Sequence, residues 1–220
     1  MAGLKGGILI SGRGSNMAAL IDACAAADFP ADVVLVAANN PDAAGLSHAS
    51  DADIETRIID HRTFADRAAF EDALDAALRE AGVELVCLAG FMRLLGAEFL
   101  RRWHDRVLNI HPSLLPAFRG LNAHEQAIDS GVRISGCTVH IVRPEMDAGP
   151  IVVQAAVPVA ADDTAQTLAA RVLTAEHRIY PQALRLMAEG RIRIRDDRVL
   201  IDGAVPSAAL LISPSDGGLD

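Results

Sequence analysis

The chain has 220 residues and a formal net charge of −9, from 20 basic and 29 acidic side chains. This acidic balance disfavours a nucleic-acid partner, because binding one depends on neutralising many phosphates with clustered Lys and Arg. Hydrophobic residues make up 51% of the chain and aromatic residues only 4%, a composition that favours an α/β domain with a buried sheet.

The cysteine pattern and the N-terminus indicate the compartment. Cys24, Cys87 and Cys137 are widely spaced and form no CxxC pair, so the sequence predicts neither a disulfide framework nor a zinc site. The N-terminal stretch MAGLKGGILISG lacks the long apolar segment of a signal peptide, and no apolar stretch reaches bilayer length. We therefore expect a cytoplasmic protein with reduced thiols and no membrane span.

Short apolar runs alternate with Ala-rich helical stretches through the first half of the chain. The predicted strands, in order, are GGILIS, ADVVLVAAN, IETRIID, VELVCLAG and RVLNIH, and the helices between them include NMAALIDACAAA and RAAFEDALDAALREAG. This alternation predicts βαβ units, a parallel sheet and right-handed crossovers. Ligands of such sheets bind beyond the carboxyl ends of the strands.

The second half has a different pattern. RISGCTVHIV and PIVVQAAVPV flank RPEMDAG, which predicts two strands joined by a loop that bends back across the end of the sheet. A long amphipathic helix follows, from about Thr164 to Gly190, and RIRIRDDRVLIDG then alternates like a small hairpin. We expect one domain over residues 1–205, with a Rossmann-like, mostly parallel sheet, flanking helices and a small C-terminal antiparallel extension, and a loose tail over residues 206–220.

A glycine-rich turn, SGRGSNMAAL, leads from the first strand into the first helix. Free backbone N–H groups and the helix dipole favour a bound phosphate there. A dinucleotide fingerprint would need a small residue where Met17 stands, and a nucleoside triphosphate would need a GK[ST] sequence. The remaining interpretation is a monophosphate site at Gly14, Ser15 and Asn16, although many such turns only cap a helix.

The stretch VLNIHPSLLPAFRG places Asn109 and His111 two residues apart at a strand end, with Pro112 stopping the strand. Residues i and i+2 of a strand project to one face, so both side chains should point into the same space. An amide donor beside an imidazole suits a reaction in which negative charge develops on a carbonyl oxygen. The alternative is a strand-end histidine satisfied by backbone groups.

Two other stretches offer candidate residues. Asp147, in EMDAGP, lies on a loop that can reach towards His111, where its carboxylate would orient the imidazole, but Asp before Gly is also common in simple turns. The stretch LAGFMRLLG, residues 88–96, could form a flat pocket for an aromatic heterocycle. On their own, Met92, Leu94 and Leu95 are better explained as core residues.

Together these stretches resemble the glycinamide ribonucleotide formyltransferases, the folate-dependent enzymes of purine biosynthesis. The resemblance is carried from about residue 6 to 202 by ISGRGSN, LAGFMRLL, NIHPSLLPAFRGLNAHEQAI, GCTVHIVRPEMDAGPIVVQ and RVLTAEHRIYPQAL, in that order. It implies three groups of site residues. They are the catalytic Asn109, His111 and Asp147; the ribonucleotide-binding Gly14, Ser15, Asn16 and Glu176; and the folate-binding Arg67, Met92, Arg93, Leu94 and Leu95, with backbone near residues 142–147.

The resemblance also implies the reaction. The substrate amine attacks the formyl carbon of 10-formyltetrahydrofolate, Asn109 and protonated His111 stabilise the tetrahedral oxyanion, and Asp147 helps to move protons, without a metal. We expect small-molecule substrates, no nucleic acid, and a monomer or homodimer. A tRNA formyltransferase would need a basic surface and a further C-terminal domain, and a formyltetrahydrofolate deformylase usually has an N-terminal regulatory domain. A non-enzymatic nucleotide-binding module would leave Asn109, His111 and Asp147 unexplained.

Overall fold

The computed structural model describes residues 3–205, 209 and 211–214. A seven-stranded sheet forms its centre, and a two-stranded hairpin forms a second, separate sheet. The strands are β1 Leu4–Ile10, β2 Ala31–Ala38, β3 Glu55–Ile58, β4 Leu85–Leu88, β5 Val107–His111, β6 Ile134–Ile141, β7 Ile151–Pro158, β8 Ile192–Arg195 and β9 Arg198–Ile201. The helices are α1 Ser15–Cys24, α2 Gly45–Asp51, α3 Arg67–Glu80, α4 Ala97–Arg102, α5 Ala123–Asp129 and α6 Ala165–Ala188.

The strand order of the large sheet is β3-β2-β1-β4-β5-β6-β7. β1 to β5 pair in parallel, whereas β6 runs antiparallel to β5 and β7 antiparallel to β6. The predicted fold class, a mostly parallel sheet with a small antiparallel extension, is therefore confirmed. The carboxyl ends of β1, β4 and β5 lie side by side at one edge, where the chain order of the strands changes direction and a crevice is expected.

Helices cover both faces of the sheet. Ile8 and Ile10 of β1 pack in a core cluster with α1 and α6, whereas Leu9 packs in a second cluster with α3 and α4. The alternation of side chains along β1 thus buries both faces, as expected for a parallel sheet. Tyr180 of α6 donates hydrogen bonds to the carbonyl oxygens of Leu88 and Leu108, at 3.0 and 3.3 Å, and fixes α6 against β4 and β5.

The predicted long helix is confirmed as α6, which begins after Thr164 as a capping box and is followed by Gly190 at φ +65. The short helices α4 and α5, with 6 and 7 residues, were not predicted. They contain too few turns to show a helical period, and tertiary packing stabilises them instead. The predicted tail over residues 206–220 lies outside the described residues except for 209 and 211–214.

Candidate active site

The glycine-rich turn forms the entry to α1. Gly14 has φ +73, and a Cβ there would lie 3.0 Å from Met17 Cε and 3.1 Å from Gly45 Cα, so both the left-handed backbone and the close approach require glycine. The first hydrogen bond of the helix runs from Ala18 N–H to Gly14 O, at 2.9 Å. The backbone N–H groups of residues 15–17 precede this bond and point out of the helix end. This geometry suits an anion and fits the predicted phosphate site.

Asn16 and Glu176 connect this turn to α6. Asn16 Nδ2 donates to Glu176 Oε2 at 2.8 Å, whereas Asn16 Oδ1 is buried and has no hydrogen-bond partner among the described residues. Burial raises the pKa of the Glu176 carboxyl, against the opposing influence of the Asn16 hydrogen bond and of nearby His111. The two predicted ribonucleotide-binding residues, 160 positions apart, therefore lie together and close to the histidine.

His111 lies between two oxygen acceptors. Its Nε2 is 2.8 Å from the carbonyl oxygen of Phe118, and its Nδ1 is 3.4 Å from Asp147 Oδ2. Each ring nitrogen of His111 therefore has an oxygen atom near it that is able to accept a hydrogen bond. Asp147 Oδ2 also accepts the Gly120 N–H at 2.9 Å, which holds the carboxylate in place. Both interpretations of His111 thus have a structural basis. Its contact with a backbone carbonyl fits a histidine satisfied by the backbone, and its contact with Asp147 fits a catalytic histidine oriented by an acid.

His140 completes the cluster and was missed in the sequence. It is the cross-strand neighbour of Asn109 in the β5–β6 pair, and its Nε2 lies 3.2 Å from Asn109 Nδ2. His140 Nδ1 donates to the carbonyl oxygen of Ile141 at 3.1 Å, so the neutral ring accepts the Asn109 hydrogen bond at Nε2. Burial lowers the pKa of His140 and favours this neutral form. The only signal in the sequence is a polar residue inside the apolar strand GCTVHIV.

Asp147 lies between the two histidines. Its Oδ1 is 3.7 Å from His140 Nε2, and its Oδ2 faces His111. Asn109 contacts His140 and His111 contacts Asp147, so the four side chains form one continuous group. Asp147 itself has φ +50, a left-handed conformation that Asp tolerates better than most residues. The candidate catalytic cluster is therefore built from the end of β5, the antiparallel strand β6 and the loop between β6 and β7.

The loop between β4 and α4 is the predicted folate-binding segment. Met92 and Leu94 are 71% and 67% exposed, so their interpretation as core residues is wrong, whereas Leu95 is 8% exposed and packs in the core. Arg93 is exposed beside them. Leu95 can therefore serve a ligand only through its backbone, and its side chain instead anchors the loop. The reason is tertiary packing, because Leu95 enters the core cluster that includes α3 and α4, whereas Met92 and Leu94 lie outside that cluster.

The remaining folate candidate, Arg67, is the first residue of α3, and its side chain is 60% exposed. The loop next to it is connected to the glycine-rich turn, because Met92 N–H donates to Ser11 Oγ at 2.8 Å and Ser11 Oγ donates to Asn39 Oδ1 at 2.6 Å. The Ser11 side chain thus joins the predicted phosphate-binding segment after β1 to the predicted folate-binding segment after β4. Asn39 is almost fully buried, so this junction reaches into the packed interior.

The described part of the chain shows neither a metal site nor a membrane-spanning helix. No group of three or more His, Cys, Asp and Glu side chains there is arranged to hold a metal ion. Within the same residues, none of the helices combines the length and the apolar character needed to cross a bilayer.

Comparison with known proteins decides the family. Residues 5–184 match the formyl transferase family. The chain belongs to this family. Among its relatives, the phosphoribosylglycinamide formyltransferase of Haemophilus influenzae is 40% identical over 202 residues, which cover 91% of this chain and 95% of that protein. The glycinamide ribonucleotide transformylase 1 of Symbiobacterium toebii has a TM-score of 0.89 at 48% identity, with 91% of this chain and 94% of that one covered.

A further relative is much longer. The trifunctional purine biosynthetic protein adenosine-3 of Bos taurus is 50% identical over 190 residues, which cover 86% of this chain. The match covers 19% of the bovine protein, so the chain spans about a fifth of the length of that relative. The similarity therefore concerns one region of the bovine protein.

Proposed function

We propose that this formyl transferase moves the formyl group of 10-formyltetrahydrofolate to the amine of 5'-phosphoribosylglycinamide, a step of purine biosynthesis. The products are formylglycinamide ribonucleotide and tetrahydrofolate. The observation that carries the proposal is the contact of His111 with Asp147 at 3.4 Å, next to a helix N-terminus that suits a phosphate. The named formyltransferases to which the chain is similar support the same substrates.

The glycine-rich turn and Glu176 form the ribonucleotide site. The N–H groups at the start of α1 and the hydroxyl of Ser15 bind the phosphate, because a helix N-terminus carries partial positive charge. Glu176, fixed by Asn16, accepts hydrogen bonds from the ribose hydroxyls. The amine of the substrate then extends from this turn towards His111, along the edge formed by β1, β4 and β5.

Asn109 and His111 form the oxyanion site. Asn109 Nδ2 gives one hydrogen to His140, which leaves the second hydrogen of the amide for the formyl oxygen. His111 Nε2 donates to Phe118 O in this structure, and in our proposal the developing oxyanion replaces that carbonyl as the acceptor. Donors fixed before the reaction stabilise the tetrahedral intermediate more than the planar formyl group, which lowers the barrier.

The proton balance involves Asp147. The amine forms a bond to the formyl carbon and gives up one proton, and the bond between that carbon and the folate nitrogen breaks as the nitrogen takes up one proton. Asp147 and His111 form the pair through which this proton moves, because the carboxylate faces the ring nitrogen. The formyl carbon keeps its oxidation state, so the transfer needs no oxidant or reductant.

The folate side consists of Arg67 and the loop from Met92 to Leu95. Exposed apolar side chains of Met92 and Leu94 offer a surface for the pterin ring, and the Arg67 guanidinium offers a partner for an anionic group. The formal net charge of −9 supports small-molecule substrates rather than a nucleic acid. The free thiols of Cys24, Cys87 and Cys137 support a reducing compartment such as the cytoplasm, and a monomer or homodimer remains our expectation.

An assay with and without the amine tests the proposal. The purified chain is given 10-formyltetrahydrofolate, and tetrahydrofolate formation is followed with and without phosphoribosylglycinamide. We expect turnover only with the amine, and a loss of about a hundredfold or more in kcat for His111→Ala. Turnover with water alone would identify a hydrolase, and binding without turnover would identify a non-enzymatic module.

A further inference from the structure

Glu71 is a buried carboxylate outside the catalytic cluster. It lies on α3 and is only 6% exposed. Glutamate is almost never fully buried unless it is paired, because removing its charge from water is costly. Its partners therefore indicate why this position carries a carboxylate.

Both partners of Glu71 belong to the predicted folate side. Glu71 Oε1 accepts the Gly96 N–H at 2.7 Å, a buried hydrogen bond at the end of the loop from Met92 to Leu95. The same oxygen lies 3.6 Å from Arg67 Nε, one turn earlier on α3. One carboxylate thus contacts the folate candidate on α3 and the backbone that ends the second folate segment.

Gly96 shows that this contact is built into the packing. A Cβ at residue 96 would lie 2.9 Å from Glu71 Oε2 and 3.2 Å from Arg67 Nη2. Gly96 has φ −74, so close approach, and not backbone freedom, is what excludes a side chain. The missing side chain lets the carboxylate and the guanidinium approach the start of α4.

The loop is held at both ends by side chains. Ser11 accepts the Met92 N–H at its start, at 2.8 Å, and Glu71 accepts the Gly96 N–H at its end, at 2.7 Å. Between these anchors Leu95 is buried, whereas Met92 and Leu94 project outwards. The path of the exposed residues is therefore set by two hydrogen bonds and one buried side chain.

We propose that Glu71 is a positioning residue for the folate substrate, because its carboxylate holds the end of the Met92–Leu95 loop against α3, next to Arg67. This inference rests on the proposed function, which assigns both segments to folate. Glu71 acts through these neighbours and touches no reacting atom. Its loss should therefore affect folate binding and leave the chemical step and the ribonucleotide site unchanged.

The two contacts of Glu71 differ in strength. The Arg67 side chain is 60% exposed, and an ion pair that reaches solvent contributes little. The buried Gly96 N–H bond to a carboxylate is the stronger contact, and its loss also leaves a buried donor unpaired. Glu71→Gln keeps an acceptor for Gly96, so it should retain most of the positioning, whereas Glu71→Ala should lose it.

Steady-state kinetics on these variants test the inference. For Glu71→Ala we expect the KM for 10-formyltetrahydrofolate to rise about tenfold, the equivalent of one charged hydrogen bond. The kcat and the KM for the ribonucleotide should stay within about twofold of wild type. Glu71→Gln should raise the folate KM by less than about threefold.

Asp75 provides a matched control for stability. It lies one turn further along α3, is 8% exposed, and accepts hydrogen bonds from Trp103 Nε1 at 2.7 Å and Arg79 Nε at 2.9 Å. Asp75→Ala therefore also removes a buried carboxylate from the same helix but leaves the loop anchors intact. We expect a lowered Tm and an unchanged folate KM. An equal rise in folate KM for Asp75→Ala would reduce Glu71 to a purely structural role and overturn the inference.

Gly96→Ala gives an independent test if Glu71→Ala fails to fold. The added Cβ displaces the Glu71 carboxylate, which is the far end of a flexible side chain, so the loop loses its anchor while Glu71 is retained. We expect the folate KM to rise about fivefold at unchanged kcat, and an unchanged KM would overturn the inference. Turnover by wild type is measured first, because its absence would count against the proposed function. In that case, calorimetric binding of tetrahydrofolate to the same variants tests the role of Glu71. Weaker binding to Glu71→Ala than to Asp75→Ala supports it, and equal binding overturns it.

Discussion

Asp147→Asn is the sharpest test of the proposed catalytic cluster because it changes charge with little change of shape. The Asp147 backbone has φ +50, a conformation that asparagine also tolerates. The Asn side-chain oxygen can still accept the Gly120 N–H, which Asp147 accepts at 2.9 Å in the wild type. We therefore expect the variant to fold with nearly unchanged Tm and to bind both substrates.

The cost to catalysis follows from the distance to His111. Asp147 Oδ2 and His111 Nδ1 are 3.4 Å apart, so at an effective dielectric constant of about 20 two unit charges attract by about 5 kcal/mol. This is an upper limit, since both side chains keep some solvent contact, at 7% and 11% exposure. Allowing for that contact, and with about 1.4 kcal/mol per tenfold change in rate, we expect kcat to fall by about 10²- to 10³-fold.

The assay combines steady-state kinetics, calorimetric binding of each substrate and thermal unfolding. Asp147→Ala serves as the comparison, because it also loses the Gly120 hydrogen bond and places alanine at positive φ, at a cost of about 1 kcal/mol or more. It should show the same loss of kcat with a lower Tm. A kcat for Asp147→Asn within about threefold of wild type would refute the argument and leave Asp147 as a turn residue.

Two further predictions concern the ribonucleotide side. Ser15→Ala removes one exposed hydroxyl at the start of α1 and should raise the KM for the ribonucleotide about fivefold, the equivalent of one hydrogen bond; an equal rise in the folate KM would contradict the assignment. Burial raises the pKa of Glu176 above its ordinary value near 4.5, so the fold favours the protonated carboxyl and loses stability as the pH rises through the raised pKa. Glu176→Gln removes this loss, and thermal unfolding should show a higher Tm than wild type at about pH 7 and little difference at about pH 4; a lower Tm at both would exclude the burial argument.

The sequence alone was sufficient for the features that depend on neighbouring residues. The alternation of apolar runs and helical stretches predicted the parallel sheet, because strand and helix periods are local properties of the chain. The two-residue spacing of Asn109 and His111 likewise placed both side chains on one face of β5. The motif resemblance favoured a catalytic role for Asp147, which an ordinary Asp-Gly turn would also have explained, and it alone indicated Glu176.

Tertiary structure decided the contacts between distant parts of the chain. His140 faces Asn109 because of the register of β5 with β6, and Glu71 reaches Gly96 because α3 and α4 pack on the same face of the sheet. A local sequence period predicts neither strand register nor helix packing, since each depends on how whole elements bury their apolar surfaces together. The same reason explains why Leu95 is buried while its near neighbour Met92 is exposed, although the sequence presents both as apolar residues of one loop.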